Sequence, residues 1–398
     1  MQRQQTISTA NETVNIRPIL NRTFRANPDY ELIPFDRLPA DQQDLFANLR
    51  RDPDFFGILR PQPGAALSLK SACRDTALLF TTLQTADRLP SFVLAGEPGE
   101  TNRAIAKMVL DGIFELEVGG RMVHGAEALA DIGELPELGA PMSQIARLSQ
   151  DALRYGQSLP VQDAGTLSGR LYSFGGIPMS ASWKRKYPNE EAVRRSVGLD
   201  AEGENSRRLA EHWHALPPDP ENDGWIGFQS RRARATGSLM YKLYLSPRPD
   251  FLPAAFHAAV PILAGAGANA FKIGKDLSGI LRPDKFVAYF SDFERLQQAA
   301  EGILGELSGC PAHGVPFTAE IGTPLISWGI DPPAEHDAPA WLSRQSWRVW
   351  VATRLAVALL AGKQNASGGV VPWRFAIERV RLEGVDTDTW TPVQKEQN

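Results

Sequence analysis

Between residues 239 and 308 the hydrophobic pattern switches back and forth between the period of a strand and the period of a helix. That alternation limits the fold more than any other feature of the chain. LMYKLYLS (239–246), NAFKIG (269–274) and KFVAYF (285–290) alternate as strands do, whereas 251–264 and 292–308 carry apolar residues at helical spacing. Further on, Trp347, Val351, Leu355 and Ala358 predict a long helix over 340–361, and AIERVRLEG (376–384) reads as an edge strand. The expectation for 239–398 is an α+β domain built on a mixed sheet.

The preceding chain has a different character. The nine tryptophans all lie at or after Trp183, and residues 1–150 hold 15 basic and 19 acidic residues against 27 of each in the remainder. Residues 1–155 read as a mainly helical module, with helices expected near 39–50, 68–84, 101–110 and 141–155. Its hairpin spans 113–124, where Phe114, Leu116 and Val118 alternate with Glu115 and Glu117 before the turn residues Gly119 and Gly120. Residues 156–238 contain SFGGIP, SLP and PPDPENDG, and they read as an irregular connecting segment.

Composition excludes several classes of function. With 42 Lys plus Arg against 46 Asp plus Glu, the chain has no field that would gather nucleic acid or an anionic membrane. Its two cysteines, Cys73 and Cys310, make no CxxC pair, so a disulfide framework or zinc ribbon is unsupported. His212 and His214 flank Trp213, which suggests packing rather than a metal site. The uncharged stretch Phe251–Phe271 contains Pro253, Pro261, Gly265 and Gly267, poor material for a spanning helix. The N-terminus shows no apolar secretory segment, and a cytoplasmic location is expected. VLAGEPGETNRAIA (93–106) has the outline of a phosphate loop, but glutamate, threonine and asparagine stand where lysine and Ser/Thr belong. An ordinary turn and helix cap is expected there.

Cations of the second half are the candidate chemistry. Lys242 shares a strand face with Tyr244, Lys272 and Lys275 belong to the next strand, and Arg282 and Lys285 introduce the third. If the three strands are neighbours, these side chains converge on a phosphate pocket. Solvated strand-end lysines are the plainer alternative. Lys242 fits that alternative poorly, because Leu243 and Leu245 beside it should face the core.

The segments MYKLYLSPRPDFLPAAFHAAVPIL, AFKIGKD, LRPDKFVAYFSDFERLQ, GVPFTAEIGTPLISWGIDPP and SWRVWVATRLA resemble a known group over about residues 235–362. They are similar to the phosphoserine/phosphothreonine lyase domain of class III and IV lanthionine synthetases. They also resemble the type III effector-family lyases of class V lanthipeptide and thioamitide pathways. The resemblance implies elimination of phosphate from a precursor peptide delivered by a separate Ser/Thr kinase-like protein, with no metal or organic cofactor. It implies Lys272 as base, with Lys242 assisting and Arg282, Lys285, Lys275 and Arg348 holding phosphate or the peptide carbonyl. Tyr244 stands where many of these lyases place a histidine general acid, so it is the candidate proton donor. A phenol with an unperturbed pKa of about 10 is a weaker acid at neutral pH, which leaves a non-catalytic phosphopeptide-binding or complex-assembly protein as the alternative. An unrelated small-molecule enzyme using Trp328, Trp347 and Trp350 is a third reading. The region 101–125 would bind a leader peptide as an added strand, or simply pack against the second module. Arg207–Arg208 and Arg231–Arg232 would contact a partner, or form a solvated face.

Overall fold

The structure is a computed structural model that describes residues 16–65, 67–133, 142–200, 203–217, 223–232, 240–332, 346–364 and 369–392. These divide into two compact units: 16–133 with 355–364 and 369–384, and 142–332 with 346–354 and 385–392. The fold class of the chain is α+β, as expected, and both units mix helices with sheet. No helix among the described residues is long and apolar enough to cross a membrane.

The first unit contains more strand than its sequence suggested. Strands β1 (Thr23–Ala26), β5 (Asp87–Arg88), β6 (Phe114–Val118) and β7 (Arg121–Val123) form a sheet in the order β5-β1-β6-β7. A second sheet joins β2 (Tyr30–Pro34), β3 (Phe55–Pro61) and β4 (Lys70–Cys73). The hairpin stands where the alternation put it, and Gly119 and Gly120 both take positive φ, 58° and 79°, as the tight turn between twisted strands requires. The helix expected over 68–84 is shortened to Arg74–Thr82, because Lys70–Cys73 pairs with β3. The expected 39–50 helix breaks into Ala40–Leu45 and a 3₁₀ turn at Ala47–Arg51, leaving Leu45 exposed. The segment resembling a phosphate loop is occupied by its own capping group: the Glu97 carboxylate accepts the Glu100 N–H at 2.8 Å at the start of helix Pro98–Leu110.

The expected edge strand at 376–384 is instead the helix Pro372–Arg381 of this first unit. Pro372 suits a first helical turn, and Phe375, Ala376 and Val380 are buried at helical spacing. Arg379 makes two 2.7 Å bonds to the Asp111 carboxylate, a fork that fixes the helix against the end of Pro98–Leu110. The chain beyond 239 therefore does not form a single domain.

In the second unit, strands β8 (Trp213–Ala215), β9 (Trp225–Ser230), β10 (Tyr241–Leu245), β11 (Ala270–Gly274), β12 (Phe286–Phe290), β13 (Ala319–Ile321) and β14 (Thr323–Ile330) make one sheet. Its order is β13-β14-β10-β12-β11-β9-β8. Every pairing is antiparallel, so the sheet is not mixed as expected. The reason is that β12 inserts between β10 and β11, which the intervening helix Leu252–Gly265 would otherwise have set side by side. The stretch 156–238 is not an irregular connection either. Among its described residues are helices Ala164–Tyr172, Ala181–Lys186, Glu190–Ser196 and Glu204–His212 and two strands of this sheet. PPDPENDG lies mostly outside the described residues, as do Leu239 and the start of the helix expected from 340.

Strand alternation gives the sheet two chemically different faces. Leu243, Leu245, Phe271, Ile273, Phe286, Ala288 and Phe290 share a core with Phe256 and Val260 of helix Leu252–Gly265 and Leu296 and Ile303 of helix Phe293–Glu306. Phe271 is central to it, its ring lying 4.8 Å from Trp213, 4.9 Å from Phe228 and 5.6 Å from Phe286. Each such ring contributes about 1.5–3 kcal/mol by leaving water. Trp213 therefore packs, as its place between two histidines suggested. The residues between the core positions turn to the opposite face.

Candidate functional site

The opposite face of the sheet carries the candidate chemistry. Cross-strand register sets Gly227, Lys272, Val287, Tyr244 and Ser327 in one row over five strands, and Ala270, Tyr289, Lys242 and Gly329 in the next. Paired residues point to the same side, so Lys242, Tyr244 and Lys272 share a face, and β10, β12 and β11 are neighbours. Two strand spacings, about 10 Å, separate the backbones of Lys272 and Tyr244.

The turn between β11 and β12 supplies the other charges. Asp276 caps the short helix Leu277–Ile280 through the Gly279 N–H, and the chain folds back so closely that a Cβ on Gly274 would lie 2.4 Å from the Gly279 carbonyl carbon. Only glycine fits there. This tight return sets Arg282 and Asp284 at the end of β11. Arg282 grips the Asp284 carboxylate through Nε (2.9 Å) and Nη2 (2.9 Å), and the same Nη2 donates to the Tyr172 hydroxyl (2.8 Å). Tyr172 in turn donates to Asp284 (2.9 Å). Arg348, 1% exposed, donates to Asp284 Oδ2 through Nη1 (2.7 Å), with Nε on the Pro316 carbonyl (3.1 Å) and Nη2 on the Tyr172 carbonyl (2.7 Å). Burial alone would raise the Asp284 pKa, but Arg348 and Arg282 overcome it and hold the carboxyl well below the usual carboxylate range.

Lys272 differs from every other cation of the group. Its Nζ has no hydrogen-bond or ion-pair partner among the described residues, and it lies 4.4 Å from the centre of the Trp225 ring and 5.9 Å from that of Tyr289. Burial above all, helped by the charges of Lys242 and Arg282 and opposed by Asp284, lowers its pKa to about 8. Arg282 stacks on the same indole, its Cζ 4.8 Å from the ring centre. Lys242 is buried and paired with Asp331. Tyr244 is buried in a small apolar cluster with Val287 and Val315, and that burial pushes its phenol well above 10.

Two expected phosphate ligands are enclosed rather than presented. Lys285, 0% exposed, donates to His313 Nδ1 at 2.8 Å. His313 Nε2 faces the Gly175 carbonyl at 2.5 Å, so Nε2 carries the ring proton and Nδ1 accepts. Burial draws the Lys285 pKa down to about 7 and that of His313 to about 4. Arg348 has its three kinds of nitrogen engaged inside the protein. Lys275 pairs with Asp223 at 2.5 Å, away from the group, because β11 ends there and its side chain turns to solvent. The tryptophan pocket does not form: Trp328 packs on the core face against Phe293 (4.6 Å), whereas Trp347, stacked on Trp350 (5.2 Å), contacts the other face at Gly329.

Sequence reasoning gave no role to Asp284, Tyr172, Trp225, Tyr289 or His313. Tyr289 had a signal, since it alternates into register with Lys242; Trp225 and Tyr172 lay in the stretch read as irregular. Among the described residues no three His, Cys, Asp or Glu side chains group as a metal site would.

The buried lysine gives the unit a pH signature. A folded pKa of about 7 for Lys285, below its unfolded value near ~10.4, means the unfolded chain binds more protons between these limits. Stability of the unit therefore rises with pH from 7 upward, by up to about 1.4 kcal/mol per pH unit from this residue. Urea denaturation of the full chain at pH 7 and pH 9 is expected to show the gain, and Lys285→Met to reduce it. Equal gains in both proteins would contradict this account.

No family model and no curated protein matches the chain. Among solved structures it is similar to an effector protein from Pseudomonas syringae pv. tomato (12% identity, 64% of this chain and 100% of that one, TM-score 0.37). A second effector, from Pseudomonas syringae pv. syringae, matches at 12% identity over 63% of this chain and 98% of that one, with a TM-score of 0.39. A third is a type III effector/phosphothreonine lyase from Shigella flexneri (14% identity, 30% of this chain and 69% of that one, TM-score 0.26). At these TM-scores the side chains, not the likeness, carry the chemistry.

Proposed function

We propose that the second unit eliminates phosphate from phosphoserine or phosphothreonine in a peptide. The observation that carries this reading is Lys272: an unpaired amine with a pKa near neutrality, on the same sheet face as Lys242 and Tyr244 and beside Arg282. Removing an α-proton requires a free amine, and a phosphate leaving group requires cations. In the proposed step the Lys272 amine takes the α-proton and the Cα–Cβ double bond forms. The Cβ–O bond breaks with its electron pair going to the phosphate oxygen, which takes a proton from the Lys272 ammonium just formed, directly or through water, and leaves as hydrogen phosphate with the free amine restored. Arg282, with a third of its side chain exposed, is the cation best set to meet the phosphate, and Lys242 assists. Asp284 and Arg348 hold Arg282 in place. The Tyr244 hydroxyl, kept protonated by burial, hydrogen-bonds to the departing group.

The sequence resemblance over residues 235–362 supports a precursor peptide of ribosomal peptide natural-product biosynthesis as substrate. On that reading a separate Ser/Thr kinase-like protein phosphorylates it in the cytoplasm, and the product is a dehydroamino acid. A second reading, a phosphopeptide-binding or complex-assembly protein without elimination, is favoured by Tyr244, whose raised pKa makes it a poor proton donor. Mass spectrometry of a phosphothreonine peptide incubated with the protein separates the two. Loss of phosphoric acid from the peptide is expected. Binding with unchanged mass would establish the second reading, and neither binding nor mass loss would remove both.

A further inference from the structure

Trp225 belongs to β9 and Lys272 to β11, and the register sets them on one face as a diagonal pair: Trp225 stands opposite Gly274, and Gly227 stands opposite Lys272. The two cross-strand partners are both glycine, so no side chain of either strand intervenes between indole and amine. Position 274 is closed to any Cβ by the Gly279 backbone, which fixes this open corner of the sheet. The amine comes to rest 4.4 Å from the indole centre, with the Tyr289 ring on the next strand at 5.9 Å.

An aromatic face has two opposing effects on an ammonium. Its quadrupole attracts the charge, by about 0.5–2 kcal/mol. Its bulk also displaces water that would otherwise solvate three N–H donors, and a charge without water or a paired anion is strongly disfavoured. Here the attraction is shared, because Arg282 rests on the same indole at 4.8 Å. No carboxylate pairs with Lys272 among the described residues, since Asp284 is gripped by two arginines and Asp331 by Lys242. The charged or titratable groups facing the amine are Lys242 on β10, Tyr289 on β12 and Arg282 and Asp284 in the turn before β12. Of these Asp284 favours the ammonium most, although two arginines share it, the Tyr289 ring adds a weaker attraction, and Lys242 and Arg282 oppose both.

We infer that Trp225 is the positioning residue that keeps the Lys272 amine dry, and that this covering, rather than a hydrogen bond, is what fits the lysine to act as a base. The role of base rests on the function proposed above; the covering does not. Burial is the largest cause of the lowered Lys272 pKa, ahead of either neighbouring cation, which agrees with this division.

The test reads Lys272 directly. In protein labelled with ¹³C-lysine, the Cε resonance of each lysine titrates with its own unmodified amine, and Lys272→Arg identifies the signal to follow. In the full chain its midpoint is expected near 8. Trp225→Gln, which admits water, is expected to raise the midpoint by one pH unit or more. Trp225→Leu, which keeps the corner apolar without a ring, is expected to leave it within about half a unit or lower it. With a phosphothreonine peptide, kcat/KM of Trp225→Gln at pH 7 is expected to fall about tenfold and recover above pH 9. A merely structural role would lower the rate at every pH and leave the midpoint alone. An unmoved midpoint in Trp225→Gln overturns the inference, and so does a rise of a full unit in Trp225→Leu, which remains decisive should the glutamine variant not fold. If the midpoints move as stated but no peptide loses phosphate, the elimination reading fails and the inference about Trp225 stands.

Discussion

Lys272→Ala is expected to reduce kcat/KM for phosphate elimination by about 10²–10⁴-fold, the range over which a positioned general base contributes. Binding of the phosphopeptide should weaken far less, because Arg282 remains to meet the phosphate. The pH dependence carries the sign of the mechanism. With a pKa of about 8, roughly one Lys272 in ten is the free amine at pH 7, and below that pH the fraction falls close to tenfold per unit. The rate should climb with pH accordingly and level off above pH 8. Lys272→Arg should be as inactive as alanine, since a guanidinium keeps the charge but never becomes a base at these pH values. An arginine variant that retained activity would show that charge rather than basicity is what position 272 supplies, and the proposed mechanism would be withdrawn.

Asp284→Asn is expected to destabilise the second unit by about 3–5 kcal/mol, the cost of leaving a buried charge without its partner. Arg348 is 1% exposed and Asp284 4% exposed, so neither water nor salt can replace the lost carboxylate. Asparagine would also leave one acceptor oxygen for the bonds that Arg282, Arg348 and Tyr172 donate to Asp284, and set an N–H against one of them. Arg348→Met added to Asp284→Asn should recover much of the loss, because the orphaned charge is removed with it. The pH effect has the same sign as that of Lys285, stability rising with pH, but falls in the acid range. Asp284 has a folded pKa far below its unfolded value near ~3.9, so its stabilisation is fully present above about pH 4 and is lost as acid brings the pH down towards the folded value. Urea midpoints of the full chain at pH 7 and pH 3 would measure both effects. A single variant within about 1 kcal/mol of wild type would mean that Arg348 finds another anion.

Local pattern was enough to read what depends on neighbours in sequence. The strands at 241–245, 270–274 and 286–290, the helices between them and the Gly-Gly hairpin follow from period and turn chemistry that act within a few residues. The convergence of Lys242, Tyr244 and Lys272 on one face follows from the same alternation, once their strands are adjacent. Adjacency itself is a tertiary fact: that β12 inserts between β10 and β11, and that β9 from the breaker-rich stretch joins the sheet, depends on pairings between distant residues. The helix at 372–381 makes the same point, since its A-I-E-R-V-R-L alternation suits a strand until Arg379 meets Asp111. The sequence alone could therefore name the cations. Only the three-dimensional packing decided which are neutralised and buried, as Arg348, Lys242 and Lys285 are, and which one remains an unpaired amine under Trp225. Protonation state depends on water and on charges brought close by folding, and neither is a property of the chain read in order.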